Sequence, residues 1–227
     1  MPDLPNESNI EQTRPESASQ RAWLALERMI VTLALAPGSV ITEGELIARI
    51  GLGRTPVREA IQRLAWDGLL EIRPRAGLAI APLHPGDWLK VLDARKGVEV
   101  LLAGLAAKNM NAAAIGSFHD AAMAMKDAVE QNDAAAFLDA DKSFDAALAE
   151  AAQNPFAARL AAPLQTHSRR FWFRYQTGSA LAEAAANHVA IIQAILARDA
   201  ELAGAEAARL MALLRLFAQD AISQEWR

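Results

Sequence analysis

Apolar residues recur with helical spacing along nearly the whole of this 227-residue chain, and the places where the spacing breaks divide it in two. Trp23, Leu26, Ile30 and Leu33 mark one face of a first helix, which Ala36-Pro37-Gly38 stops. Thr42 followed by Glu45 has the spacing of a capping box, opening a short second helix with Leu46, Ile47 and Ile50 inward. Gly51 and Gly53 supply a turn. Thr55 is then expected to cap a third helix with Pro56 at its first position. In that helix Val57, Ala60, Ile61 and Leu64 fall on a core face, while Thr55, Arg58, Glu59 and Gln62 share the opposite face. It ends at Asp67-Gly68, after which residues 69–72 and 78–81 flank Arg73-Pro74-Arg75-Ala76-Gly77 as a β-hairpin would. Helix, helix, turn, helix and hairpin, in that order, predict a winged helix-turn-helix over residues 19–82.

Periodicity fails again at Pro82, Pro85 and Gly86, which predicts a linker at 83–87. Residues 88–227 are rich in Ala and Leu, carry no strand signal and read as about six helices. The fold class is therefore mainly α, with a small β-hairpin wing. The first residues, rich in Pro, Ser, Asn and Glu, predict a disordered tail over 1–18. They have neither the basic nor the apolar region of a secretory signal. No apolar run reaches the roughly 20 residues of a membrane span, so no membrane is expected as a partner and a cytoplasmic location is.

Composition changes this picture in two respects. Cysteine is absent, which excludes disulfides, thiolate metal sites and cysteine nucleophiles. The net charge of −4 conceals an asymmetry: residues 14–85 carry +2 and the segments on either side −3 each. Five arginines, Arg54, Arg58, Arg63, Arg73 and Arg75, crowd the third helix and the hairpin. Arg54, Thr55, Arg58 and Gln62 lie where a recognition helix meets base edges and phosphates, since arginine donates two parallel hydrogen bonds to guanine. Arg73 and Arg75 sit at the wing tip, and Gly77 permits its tight return. The competing reading is a solvated helix whose arginines pair with Glu59 and Asp67. No dinucleotide, P-loop, nucleophile-elbow or HExxH motif points to an enzyme.

The stretch "PGSVITEGELIARIGLGRTPVREAIQRLAWDGLL", followed by "RPRAG", resembles the DNA-binding signature of the GntR family of bacterial transcription regulators. Gly53 stands where that family usually has Ser, and Gly44 where some members are basic. Three later stretches resemble the FCD effector domain of the FadR-type subfamily, an antiparallel all-helical bundle. They are "LDARKGVEVLLAGLAA" with Arg95 and Glu99, "DADKSFDAALAEAAQNP", and "NHVAIIQAILARDAELAGAEAARL". The resemblance implies a homodimer on a two-fold-symmetric stretch of double-stranded DNA, a repressor, released by a small-molecule effector. An architectural DNA-binding protein without an effector is the alternative.

Many FCD domains hold a divalent metal with one Asp and three His. By resemblance the Asp is Asp141 and the second His is His188, but Asp145 stands at the first His and Leu210 at the third. No cofactor is predicted; a metal held by Asp141, Asp145 and His188 is the incomplete possibility, and oxygen ligands would favour a hard ion. The other reading is a metal-free pocket in which Arg95 or another arginine grips an effector carboxylate. In "HSRRFWFRY" (167–175) the aromatic residues cannot share one helix face. Arg170 and Arg174 are four apart there and are candidates for a second anion clamp; an aromatic core with snorkelling arginines is the alternative. His167 is a further candidate ligand.

Overall fold

The computed structural model describes residues 16–225, and its architecture follows the two-part reading. Residues 1–15 of the expected tail lie outside the described residues. Its last residues are ordered: Ser17 accepts a hydrogen bond from the Gln20 amide and caps α1 (Ala18–Val31). The first helix stops before Ala36-Pro37-Gly38, because Leu33 takes a left-handed conformation (φ 60°) and Leu35, not Leu33, enters the core. Strand β1 (Val40–Ile41) follows, an element too short for an alternation signal. The capping box then opens α2 (Glu43–Ile50), with both reciprocal bonds made between Thr42 and Glu45.

Helix α3 (Arg54–Trp66) begins two residues earlier than expected. Its N-cap is Gly53, with no side-chain cap bond, so Thr55 lies inside the first turn and leaves its hydroxyl on an exposed surface. Val57, Ala60, Ile61 and Leu64 are all buried, as the periodicity requires. Strands β2 (Leu70–Arg73) and β3 (Gly77–Ile80) form the wing, and β1 adds to its free edge by pairing Val40 with Ala79 and Ile41 with Leu78. A residue larger than glycine does not fit at position 77: φ is +99° and an added Cβ would lie 2.9 Å from the Ile41 carbonyl oxygen.

The second part comprises α4 (Pro85–Asn109), α5 (Ala112–Gln131), α6 (Ala134–Ala152), α7 (Pro155–Tyr175), α8 (Ala180–Leu196) and α9 (Ala200–Glu225). Helix α4 starts within the expected linker, since Pro85 is favoured in a first turn where its missing N–H is no loss. It runs through the middle of the bundle, packed on α9, α7, α6 and α8. Small alanines at 103, 106, 107, 203 and 207 are buried in this layer. Two apolar cores result, one within the winged head and one in the bundle, which Val31 at the end of α1 also joins.

Polar contacts join them. Glu27 of α1 is buried and accepts from Thr166 Oγ1 (2.8 Å) and from Lys142 Nζ. Arg28 pairs with Asp139, the His167 ring bonds the Asp67 carbonyl (2.8 Å), and Arg170 donates to the Ala81 carbonyl. No helix among the described residues is long and apolar enough to cross a membrane.

Candidate functional site

Two places concentrate exposed or buried polarity. On the winged head, Arg54, Thr55, Arg58 and Gln62 are exposed together along the outer face of α3, from its N-terminus onward. Glu43, at the start of α2, holds Arg58: its Oε1 and Oε2 accept from Nε at 2.8 and 2.9 Å. Arg54 lies 4.0 Å from the same carboxylate. Arg73 and Arg75 are exposed on the wing, Arg73 paired with Glu71 at 2.8 Å and Arg75 in the left-handed turn conformation (φ 63°). Glu59 receives Ser19, while Asp67 lies within the field of the Arg63 charge, so of the two acidic partners in the solvated-helix reading only Asp67 feels an α3 arginine.

The second place is inside the bundle. Helix α4 buries Trp88, Leu92, Arg95, Glu99, Leu102 and Ala106 in alternating steps of four and three, so two charged residues occupy positions that belong to the core stripe. Helix α6 does the same with Asp141 and Asp145, α7 with Gln165 and Arg169, and α8 with His188. All lie at one level of the bundle. Burial of this much charge requires internal pairing, because an unpaired ion in a low-dielectric interior costs several kcal/mol.

The pairing is complete and specific. Arg169 spans both aspartates, Nε to Asp141 Oδ2 at 2.7 Å and Nη2 to Asp145 Oδ2 at 2.6 Å. The other Asp141 oxygen lies 2.7 Å from His188 Nε2. His188 Nδ1 lies 2.7 Å from the Ala184 carbonyl. Arg95 pairs with Glu99 at 2.8 Å, and the Gln165 amide donates to Glu99 (3.1 Å) and Asp145 (2.9 Å).

Protonation follows from these contacts. Burial would raise Asp141, but the His188 hydrogen bond and the Arg169 charge outweigh it and hold the carboxyl well below the usual range. Burial, with Asp141 and Glu99 nearby, pushes Asp145 up to about 7 despite Arg169. Burial opposes charge on His188 as well, yet the Asp141 contact raises it. Both ring nitrogens face acceptor oxygens, as a doubly protonated imidazolium requires.

A cavity of about 20 Å³ adjoins this network, lined in part by Arg95, Asp141, Ser168, Arg169, Trp172 and His188. A smaller one of about 10 Å³ continues past Arg95 and His188 to Leu210. Among the described residues the buried Trp172 Nε1–H finds no hydrogen-bond partner, an orphan donor on the cavity wall.

The metal reading does not fit these residues. An imidazolium has no lone pair to donate, Asp141 and Asp145 are engaged by Arg169, and Leu210 is an apolar wall. Among the described residues no cluster of three or more His, Asp or Glu has the geometry to hold an ion. His167 lies instead at the junction with the winged head, 2.8 Å from the Asp67 carbonyl.

The expected clamp of Arg170 and Arg174 also fails. Arg170 is buried toward Ala81, where burial lowers its pKa to about 10, and Arg174 is exposed beside Tyr175. The arginine inside the bundle is Arg169. Its signal was the inward row Ala157, Ala161, Gln165, Arg169, Trp172 on α7, set by small residues that precede the charged ones. The i, i+4 spacing of Arg170 and Arg174 does not by itself say which face of α7 turns inward.

Family comparisons agree with both halves. Residues 18–80 match the model described as bacterial regulatory proteins, gntR family, and residues 90–213 match the FCD domain. A probable D-xylose utilization operon transcriptional repressor of Paenarthrobacter nicotinovorans is 33% identical over 84% of this chain and 84% of its own length. An uncharacterized HTH-type transcriptional regulator in an unstable DNA locus of Streptomyces ambofaciens is 32% identical, over 48% of this chain and 46% of that protein. Among solved structures, McbR/YncC of E. coli shares the fold with a TM-score of 0.78 at 19% identity, covering 94% of this chain and 100% of that one. With a gntR-type winged head followed by an FCD bundle that fills more than half its length, this chain belongs to the GntR family of bacterial transcriptional regulators.

Proposed function

We propose that this regulator binds a two-fold-symmetric operator as a cytoplasmic homodimer, represses from it, and changes its grip on DNA when a small metabolite enters the FCD cavity. Arg54, Thr55, Arg58 and Gln62 enter the major groove from α3, and Arg73, Arg75 and the turn at Gly77 follow the adjoining backbone or minor groove. A carboxylate is the favoured effector group, because the cavity wall carries donors able to meet it, the Trp172 N–H and the guanidinium groups of Arg95 and Arg169, beside carboxylates it would have to replace. The ligand must displace side chains to enter, since the cavity holds about one water as it stands.

The observation that carries the ligand-responsive part is the two-sidedness of α7. Gln165, Arg169 and Trp172 belong to the buried polar cluster or its cavity wall, while Thr166, His167 and Arg170 bond the winged head through Glu27, Asp67 and Ala81. Arg169 Nη1 also reaches Thr166 Oγ1 at 3.5 Å. A ligand that draws Arg169 away from its aspartates therefore acts on the element that docks the head, which is the differential contact a population shift needs.

The test is selection of a random duplex library by the full chain at physiological salt, with Arg58→Ala alongside, then addition of small carboxylates to the retained complex. One enriched palindrome, weakened by about 1–3 kcal/mol or broadened in Arg58→Ala, is expected. An unenriched library would overturn specific recognition. The small cavity also favours a second reading, an architectural DNA binder without effector; it predicts no thermal stabilisation by any metabolite of a broad panel.

A further inference from the structure

We propose that the guanidinium of Arg169 is a chain-borne cation standing in the position of a metal ion, so that this FCD cavity works without a metal. Four positions surround this cluster: Asp141 on α6 and His188 on α8 line the larger cavity, Leu210 on α9 lines the smaller one with His188, and Asp145, one turn from Asp141, meets Arg169 and Gln165 beside them. These are the positions that the family resemblance assigns to a metal, but their chemistry has changed together. At 145 a carboxylate replaces an imidazole and supplies the second acceptor that a planar guanidinium fork needs. At 210 a leucine removes a ligand and closes the inner wall. From α7, Arg169 then reaches between the two aspartates and meets each at under 2.8 Å, with only 7% of its side chain exposed.

Each substitution alone would be unfavourable. An Asp145 carboxylate beside Asp141 repels it, and a buried arginine without two acceptors leaves N–H groups unsatisfied. Together they make a closed set, in which the remaining Asp141 oxygen holds the imidazolium of His188. Charge balance that a divalent ion would supply is met by a group no chelator can remove. The cation, fixed to α7 by its own side chain, also reaches Thr166 through Nη1, and Thr166 donates to Glu27 of the winged head, a directional hydrogen-bonded connection that a bound ion lacks.

The full-length chain is dialysed against Zn²⁺ or Mn²⁺ alone and its metal content measured, with isothermal titration of the same ions. The wild type is expected to take up no stoichiometric ion, and EDTA to leave its melting temperature unmoved. The variant Asp145→His/Arg169→Ala/Leu210→His, shown folded by circular dichroism, is expected to bind one ion per chain. Adding His188→Ala should abolish that binding, and the ion should raise the variant's melting temperature as its concentration passes Kd. Uptake of one ion per wild-type chain, lost in His188→Ala, overturns the proposal. So does a folded triple variant that takes up none. If the triple variant does not fold, wild-type uptake decides alone. The result is independent of DNA recognition, which the library selection reads separately.

Discussion

Replacing Arg169 with methionine keeps most of the side-chain volume and removes the charge that both α6 aspartates share. Truncating one member of a buried ion pair costs about 3–5 kcal/mol, because the partner is left charged and unpaired. The lower end applies here: Asp141 keeps the His188 contact at 2.7 Å, and Asp145 keeps the Gln165 amide at 2.9 Å. A loss of about 3 kcal/mol corresponds to a fall of about 6–12 °C in melting temperature for a chain of this size. Equilibrium urea unfolding at pH 8 measures it directly, and the companion Arg169→Met/Asp145→Asn isolates the Asp145 share, which should return at least half of the loss. The pH dependence carries a sign. Asp145 titrates at about 7 in the folded chain but near 4 when unfolded, so the folded state holds the proton through that interval and stability falls as pH rises from 4 to 7. Without Arg169 the folded value rises further, the decline continues above pH 7, and the cost of the substitution shrinks toward pH 5. A loss below about 1 kcal/mol at pH 8, or no recovery in the double variant, would refute the view that Arg169 neutralises a buried acidic pair.

Three further outcomes test other parts of the molecule. Gly77→Ala forces a left-handed residue and a Cβ 2.9 Å from the Ile41 carbonyl, so a loss of about 1–3 kcal/mol is expected from the winged head, with faster amide exchange at Leu78 and Ala79. Glu43→Gln releases Arg58 and removes a negative charge beside the DNA face. Affinity for random duplex should rise and its salt dependence steepen; unchanged binding would mean that Arg58 does not meet phosphate or base. Glu27→Gln weakens the acceptor shared by Lys142 and Thr166, so protease cleavage within residues 81–84 should accelerate while the unfolding midpoint of the bundle moves little.

What the sequence disclosed, and what it hid, divides by the range of the interaction. The capping box at Thr42 and Glu45, the core face of α3 and the hairpin are encoded within a few residues, and local spacing was enough to place them. Strand β1 escaped because two residues carry no alternation; only its partner β3 defines it. Gly53 displaced Thr55 as N-cap because a glycine satisfies the extended cap conformation without offering an oxygen, and nothing in the residues decides between them until the chain direction is fixed.

The bundle cluster was half legible. Asp141 and Asp145 could be placed on one face from their spacing, and His188 from its match, but the choice between a metal and a guanidinium depends on what a fourth helix brings to them. That helix contains four arginines between residues 155 and 175, and only packing shows which one points inward. A row of buried small residues, Ala157 and Ala161, fixes the inward face of α7 one turn ahead of Gln165, and Arg169 continues it, whereas Arg170 continues the face against the winged head. Adjacent residues on a helix point about 100° apart, so two neighbouring arginines serve two different domains. The same helical geometry that concealed the cavity residue from sequence reasoning is what lets α7 bond both the cavity and the head.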